Sequence, residues 1–307
     1  MNRSAFLFCG QGAQYVGMGR DLTEVSPAAR EVFDMGEAQC PGIRALCFEG
    51  PAELLTKTEH TQPALFLTDL ACARALDAAG VHADAVAGFS LGELPALAYA
   101  GVLSDADAFG TVLVRGKVMR ECAEKNPGGM AAVMKLSSEQ VEEIAARFPE
   151  VWPVNYNCPG QIACAGRAES LDPFCDAVKA AGGRAVKLAV SGAFHTPYMR
   201  EATEALRARL ATLTICPPQI PLYSNYTSEL YPSAREEIID TLAEQASHSV
   251  RWESIVRRMA ESGIDTFVEV GAGVTLSKLL ARTLPDATVY HVESAESLRE
   301  TLAALGK

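Results

Sequence analysis

Short apolar runs that break on glycine turns alternate with helix-period segments along most of this 307-residue chain. That alternation constrains the fold more than any other feature. The runs at 5–8, 83–88 and 266–270 stop at Gly10-Gln11-Gly12, at Gly88-Phe89-Ser90-Leu91-Gly92 and at Gly271-Ala272-Gly273. Helical patterns occupy 28–39, 63–79, 90–99, 105–124, 197–210, 236–245, 250–262 and 276–284, and 221–225 reads as a further strand. Pro63 fits the first position of its helix, and Thr196 with Pro197 reads as the cap and first residue of another. Strands alternating with helices form a mainly parallel sheet covered on both faces, so the chain reads as an α/β protein.

The rhythm changes in the middle. Strands at 130–136, 151–155, 161–165 and 184–190 enclose helices at 137–147 and 171–181, the β-α-β-β-α-β order of a ferredoxin-like unit. Ser137 with Gln140 three residues on marks the start of the first of these helices. The expected organisation is a core from 1–127 and 197–307 with a subdomain inserted at 128–196.

Composition removes several function classes. With 49% hydrophobic and 21% charged residues, the chain can bury a sizeable core. A net charge of -11 argues against a nucleic-acid partner and gives no attraction to anionic membranes. The longest apolar-rich stretch, 64–80, is broken by Asp69, Arg74 and Asp77, which makes it a poor membrane span. The first ten residues lack the apolar centre of a signal peptide. Nine cysteines without a C-x-x-C pair read as reduced thiols, so a cytoplasmic location is expected. No histidine or cysteine spacing resembles a metal site. Gly10-Gln11-Gly12 and Gly271-Ala272-Gly273 lack the third glycine of a dinucleotide fingerprint, Tyr15 and Leu276 standing there, so no nicotinamide or flavin is expected.

The chemistry centres on Gly88-Phe89-Ser90-Leu91-Gly92. A Gly-x-Ser-x-Gly sequence between a strand and a helix makes a sharp turn that exposes the serine hydroxyl at the sheet edge. The adjoining helix N-terminus favours developing negative charge. A serine nucleophile needs a base. Of His60, His82, His195, His248 and His291, His195 is the best placed, on a loop between a strand end and a helix start. Arg115 shares a helix face with Val112, Val118 and Met119. A buried arginine needs an anion. Either an internal Asp or Glu or a substrate carboxylate, gripped by the guanidinium fork, satisfies that requirement.

In order and spacing, these segments resemble the acyltransferase family of fatty-acid and polyketide synthesis, and within it the malonyl-CoA:acyl carrier protein transacylases. The resemblance is carried by Phe8-Cys9-Gly10-Gln11-Gly12-Ala13-Gln14, Thr61-Gln62-Pro63-Ala64-Leu65, Gly88 to Glu93, Arg115-Gly116-Lys117, Asn155 to Gln161, Ser191 to His195 and Val268 to Gly273. It implies an α/β-hydrolase-like core with a ferredoxin-like insert and the site between them. It further implies Ser90 as nucleophile, His195 as base, the backbone N–H groups of Gln11 and Leu91 as oxyanion hole, and Arg115 as the binder of the malonyl carboxylate. Gln245 would orient the histidine through its main-chain carbonyl, and Asn157 would line the cleft. Phe194, next to His195, would wall the acyl pocket, and an aromatic residue there goes with malonyl rather than methylmalonyl. No bound cofactor is implied. The substrate would be malonyl-CoA and the acceptor the phosphopantetheine thiol of acyl carrier protein. By their proximity to the Arg115 helix and to the strand leading to His195, Arg120 and Arg184 are either docking cations for that carrier or two solvated surface arginines. Phe89 stands where the family usually has histidine; Cys9 and Ala13 are milder departures. The competing readings are a serine hydrolase on the same elbow, a trans-acting polyketide acyltransferase or one serving malonate decarboxylation, and a catalytically silent interaction protein.

Overall fold

The structure, a computed structural model, describes residues 3–190 and 192–307; Ser191 of the Ser191–His195 motif lies outside them. Among the described residues there are nine strands in two sheets. They are β1 (Ser4–Phe8), β2 (Ala85–Gly88), β3 (Gly128–Met134), β4 (Val151–Cys158), β5 (Gln161–Arg167), β6 (Arg184–Lys187), β7 (Leu222–Tyr223), β8 (Thr266–Val270) and β9 (Thr288–Val292). The first sheet has the order β7-β2-β1-β8-β9, with every pairing parallel. β1, β2 and β8 are buried along nearly their whole length and read as continuous apolar runs, as a sheet covered on both faces requires.

The second sheet is antiparallel, in the order β4-β5-β3-β6. Counted within the insert that is 4-1-3-2 read from β6, the ferredoxin-like arrangement, with helices Ser138–Ala145 and Ala168–Ala180 packed against it. The capping box of Ser137 and Gln140 is present. The fold class is therefore the one expected from the alternation.

Several local expectations are corrected. Pro63 does not open its helix; the helix runs Thr58–Ala78, with Pro63 inside it. The extra N-terminal turn is held by Thr61, whose hydroxyl donates to the Leu55 and Lys57 carbonyls. β6 ends at Lys187 rather than 190, and β7 is only two residues long, Ser224 bonding into the turn that follows it and Asn225 reaching the elbow. The short helices Arg20–Val25, Ile43–Glu49 and Ala52–Leu55 are additional, as are edge strand β9 and helix Ala295–Ala304. β9 is largely half-exposed and interleaves polar residues, so it lacks the apolar run that marks the buried strands.

Register brings the glycine turns together. Phe8 pairs with Gly88 on one side and Val270 on the other, so all three chains leave the sheet at one level of its carboxyl edge. Main-chain bonds tie the second sheet to the segment just before helix Trp252–Glu261. Tyr156 N–H donates to the Val250 carbonyl at 2.9 Å and Val250 N–H to the Val154 carbonyl at 2.7 Å. The Ser249 hydroxyl adds a bond to the Pro153 carbonyl at 2.9 Å.

Candidate active site

The elbow after β2 depends on its small residues. A Cβ on Gly88 would lie 1.9 Å from the Gly92 carbonyl carbon, and one on Gly92 would lie 2.3 Å from the Phe8 carbonyl oxygen. Only hydrogens fit at these backbone approaches. Ser90 between them has φ of 54°, a left-handed conformation that a serine rarely adopts. Asn225 holds the turn: its Oδ1 accepts from Ser90 N–H at 2.6 Å and its Nδ2 donates to the Gly88 carbonyl at 2.6 Å. Ser90–Gly92 form one 3-10 turn before the α-helix Glu93–Tyr99 begins.

Ser90 Oγ lies 2.7 Å from His195 Nε2. His195 also has a left-handed backbone, with φ of 62°. Its Nδ1 is 3.1 Å from both the Gln245 and the His248 carbonyls. Carbonyls only accept, so Nδ1 carries the hydrogen and Nε2 presents a lone pair to the serine. Burial pushes the imidazole down to about 4, and the nearby Arg115 charge pushes the same way. The ring is therefore neutral at physiological pH.

Arg115 is buried on helix Asp105–Lys125. Its Nη1 donates to Gln62 Oε1 at 2.7 Å, and its Nη2 donates to Gln245 Oε1 at 3.0 Å and Ser90 Oγ at 3.2 Å. These acceptors are all neutral. Among the described residues no carboxylate forms an ion pair with it, so an internal Asp or Glu is not its direct partner. Burial lowers the guanidinium to about 10, opposed by the charge of Glu93. Gln62 is itself held by Thr58, whose hydroxyl donates to Gln11 Oε1 at 2.9 Å. The early turn of helix Thr58–Ala78 thus connects the arginine to the loop after β1.

A cavity of about 90 Å³ opens over the dyad. Gln11, Leu91, Arg115 and Phe194 line it, together with Ser90 and His195. Among the described residues, the backbone N–H groups of Gln11 and Leu91 donate to no protein acceptor, and both residues border the serine hydroxyl's space. Phe89 lines the cavity as well and packs edge-on against Trp252, centroids 5.4 Å apart, so this wall is apolar.

Two expected placements differ. Asn155, not Asn157, lies on the cavity wall; Asn157 is buried two residues further along β4, whose register shifts between Tyr156 and Cys158. Arg120 is engaged by Glu59, Glu121 and Glu124, so its charge is locally compensated. Arg184 has no ion-pair partner among the described residues. Sequence reasoning did not single out Gln62, Glu93, Asn225 or Tyr231 for roles. The first two stand inside quoted motifs, where position carried a signal; Asn225 and Tyr231 follow a two-residue strand, and no local pattern marks them.

The acyl transferase domain family matches residues 5–302, and the chain belongs to that family. It is 37% identical to a malonyl CoA-acyl carrier protein transacylase of Bacillus subtilis, over 98% of each chain. The crystal structure of a malonyl CoA-acyl carrier protein transacylase from Clostridium perfringens superposes with a TM-score of 0.95 at 38% identity, covering 99% of this chain and 97% of that one. A malonyl-transacylase in complex with a type II PKS acyl-carrier protein superposes with a TM-score of 0.94 at 33% identity, covering 98% and 99%.

Proposed function

We propose that this chain transfers malonyl from malonyl-CoA to the phosphopantetheine thiol of acyl carrier protein through an ester on Ser90, supplying fatty-acid synthesis. The observation that carries the reading is Arg115: a buried guanidinium, 3.2 Å from the serine hydroxyl, that no carboxylate touches among the described residues. An acyl group ending in a carboxylate completes that site with a direct ion pair, which a neutral acyl group cannot form.

His195 Nε2 takes the Ser90 proton as Oγ attacks the thioester carbon. The Gln245 and His248 carbonyls, bonded to Nδ1–H, hold the ring in the required tautomer and support the positive charge that forms on it. The Gln11 and Leu91 N–H groups receive the oxyanion, worth about 3–4 kcal/mol for each such donor. Collapse of the tetrahedral intermediate breaks the C–S bond, and His195 returns the proton to the leaving coenzyme A sulfur. The carrier thiol then attacks the Ser90 ester, with His195 as base, and the same steps run in reverse. Phe194 forms part of the cavity wall in this reading.

Cysteines that are all free, most of them buried, suit work in a reducing cytoplasm. No helix among the described residues is long and apolar enough to cross a membrane. Hydrolysis on the same elbow is the rival outcome. Mixing the protein with malonyl-CoA and holo carrier protein, then measuring malonyl-carrier against free malonate, separates the two. Carrier product in large excess is expected; predominant malonate release would make the chain a hydrolase.

A further inference from the structure

The carboxylate of Glu93 is completely buried just past the elbow. Its Oε2 accepts from Asn225 N–H at 3.0 Å and from Gln245 Nε2 at 3.2 Å, and its Oε1 accepts from the Tyr231 hydroxyl. Gln245 turns the other end of its amide to Arg115, which also reaches Ser90. The amide's polarity runs one way along this row, NH₂ toward the carboxylate and oxygen toward the guanidinium. Gln245 Nε2 additionally donates to the Ser90 carbonyl at 2.5 Å, tying the row to the elbow.

We propose that Glu93 is a positioning residue: the counter-charge of Arg115, held one amide away, whose ionisation sets how strongly the pocket prefers an acyl group bearing a carboxylate. The inference rests on the reading of Arg115 given above. In the empty site, ionised Glu93 balances Arg115 through Gln245. When the malonyl carboxylate arrives, two anions share one buried cation, and like charges close together disfavour ionisation of both. Neutral Glu93 removes that repulsion.

The groups facing Glu93 are Arg115 from helix Asp105–Lys125, Asn225 and Tyr231 from the segment after β7, and Gln245 from helix Arg235–Gln245; His195 is bonded to Ser90 beyond them. Burial raises Glu93 to about 7, against the opposing hydrogen bonds and the Arg115 charge. His195 and Arg115 lie well to either side, at about 4 and about 10, and Tyr231 is pushed far up by burial. Within this group Glu93 alone changes charge near neutrality. The malonyl carboxylate stays ionised throughout that range.

The test is the second-order rate constant for loading Ser90, followed by intact mass from about pH 6 to about pH 8.5, with malonyl-CoA and acetyl-CoA compared at each pH. In the wild type the malonyl-to-acetyl ratio should fall by about tenfold as pH rises through the Glu93 titration. Taking the ratio removes any titration of coenzyme A itself. Glu93→Gln keeps acceptors for Asn225 and Gln245 and offers its own NH₂ to the Tyr231 oxygen. It should hold the ratio flat at the wild-type low-pH value. Tyr231→Phe removes one donor to the carboxylate and should move the fall to higher pH, which keeps the idea testable if the first variant folds poorly. A Glu93→Gln ratio that still falls with pH, or a Tyr231→Phe profile superimposable on wild type, overturns the proposal. Arg115→Ala separates the two levels. If it leaves the ratio unchanged, the carboxylate-binding role of Arg115 fails and this proposal with it. If it abolishes the preference while Glu93→Gln keeps the wild-type profile, only the role of Glu93 fails.

Discussion

At the residue scale, burial does most to set the chemistry of the dyad. A solvent-exposed histidine is half protonated near pH 6.5. His195 is buried, donates its Nδ1 hydrogen to two carbonyls and sits near a guanidinium, and all but the carbonyls disfavour the imidazolium. Acylation by acetyl-CoA, chosen because it carries no carboxylate, should therefore keep its rate down to about pH 5. Stopped-flow release of coenzyme A checks this, and a fall centred near 6.5 would show that the ring is more solvated than its surroundings here. Arg115→Ala should lose most malonyl loading, about 3–5 kcal/mol of transition-state stabilisation, while acetyl loading persists or rises. Equal loss for both acyl groups would make the arginine structural. Phe194 bears on volume. It lines the cavity and belongs to one apolar cluster with Met119, Met130 and Ala193, so under the proposed reaction an α-methyl group would meet this wall. One carbon in a packed pocket gives about 10–200-fold discrimination. Phe194→Ser should raise kcat/KM for methylmalonyl-CoA relative to malonyl-CoA, and an unmoved ratio would place selectivity elsewhere.

At the element scale, the strand–turn–helix around Ser90 works because backbone passes close to backbone. Gly92→Ala places a methyl against the Phe8 carbonyl, which belongs to the central strand and has no room to retreat. Forced overpacking costs about 1–3 kcal/mol of stability, and displacement of the elbow should slow Ser90 loading by more than about tenfold. Denaturant unfolding together with loading kinetics measures both; a variant as stable and fast as wild type would contradict the packing. This element was legible in the sequence because the glycines, the serine and the strand before them are contiguous. So was the ferredoxin-like insert, whose helix caps and strand turns are local. Features assembled from distant segments were not. Asn225 reaches the elbow from a loop 135 residues away in sequence, and the second carbonyl on His195 comes from His248 in a different turn. Pro63 misled because its local preference for a helix start yields to the turn ahead of it, which brings Thr58 and Gln62 to the site.

At the scale of the whole molecule, the site lies where the carboxyl edge of the parallel sheet meets the antiparallel insert. Met130 on β3 and Asn155 on β4 form one wall, and the loops after β1 and β2 form the other. The bridge through Val250 fixes β4 beside the segment that carries the His248 carbonyl, so insert and dyad are positioned together. A net charge of -11 means that an acidic carrier protein must find local cations. Arg184, on edge strand β6 and without an ion-pair partner among the described residues, remains the better candidate, because Arg120 is already surrounded by Glu59, Glu121 and Glu124. Arg184→Glu should raise the KM for carrier protein by about three- to tenfold with coenzyme A loading unchanged, whereas Arg120→Glu should leave both nearly unmoved. Steady-state transfer at low salt reads the difference, and an unchanged carrier KM in Arg184→Glu would remove that residue from the docking surface.

The central claim, a malonyl ester on Ser90 that passes to a carrier thiol, is tested most directly by intact-mass spectrometry of the protein mixed with malonyl-CoA and then with holo acyl carrier protein. A single malonyl adduct is expected on the wild type, with its quantitative transfer to the carrier and no adduct on Ser90→Ala. An adduct that persists in Ser90→Ala, or one that the carrier cannot remove, would contradict it.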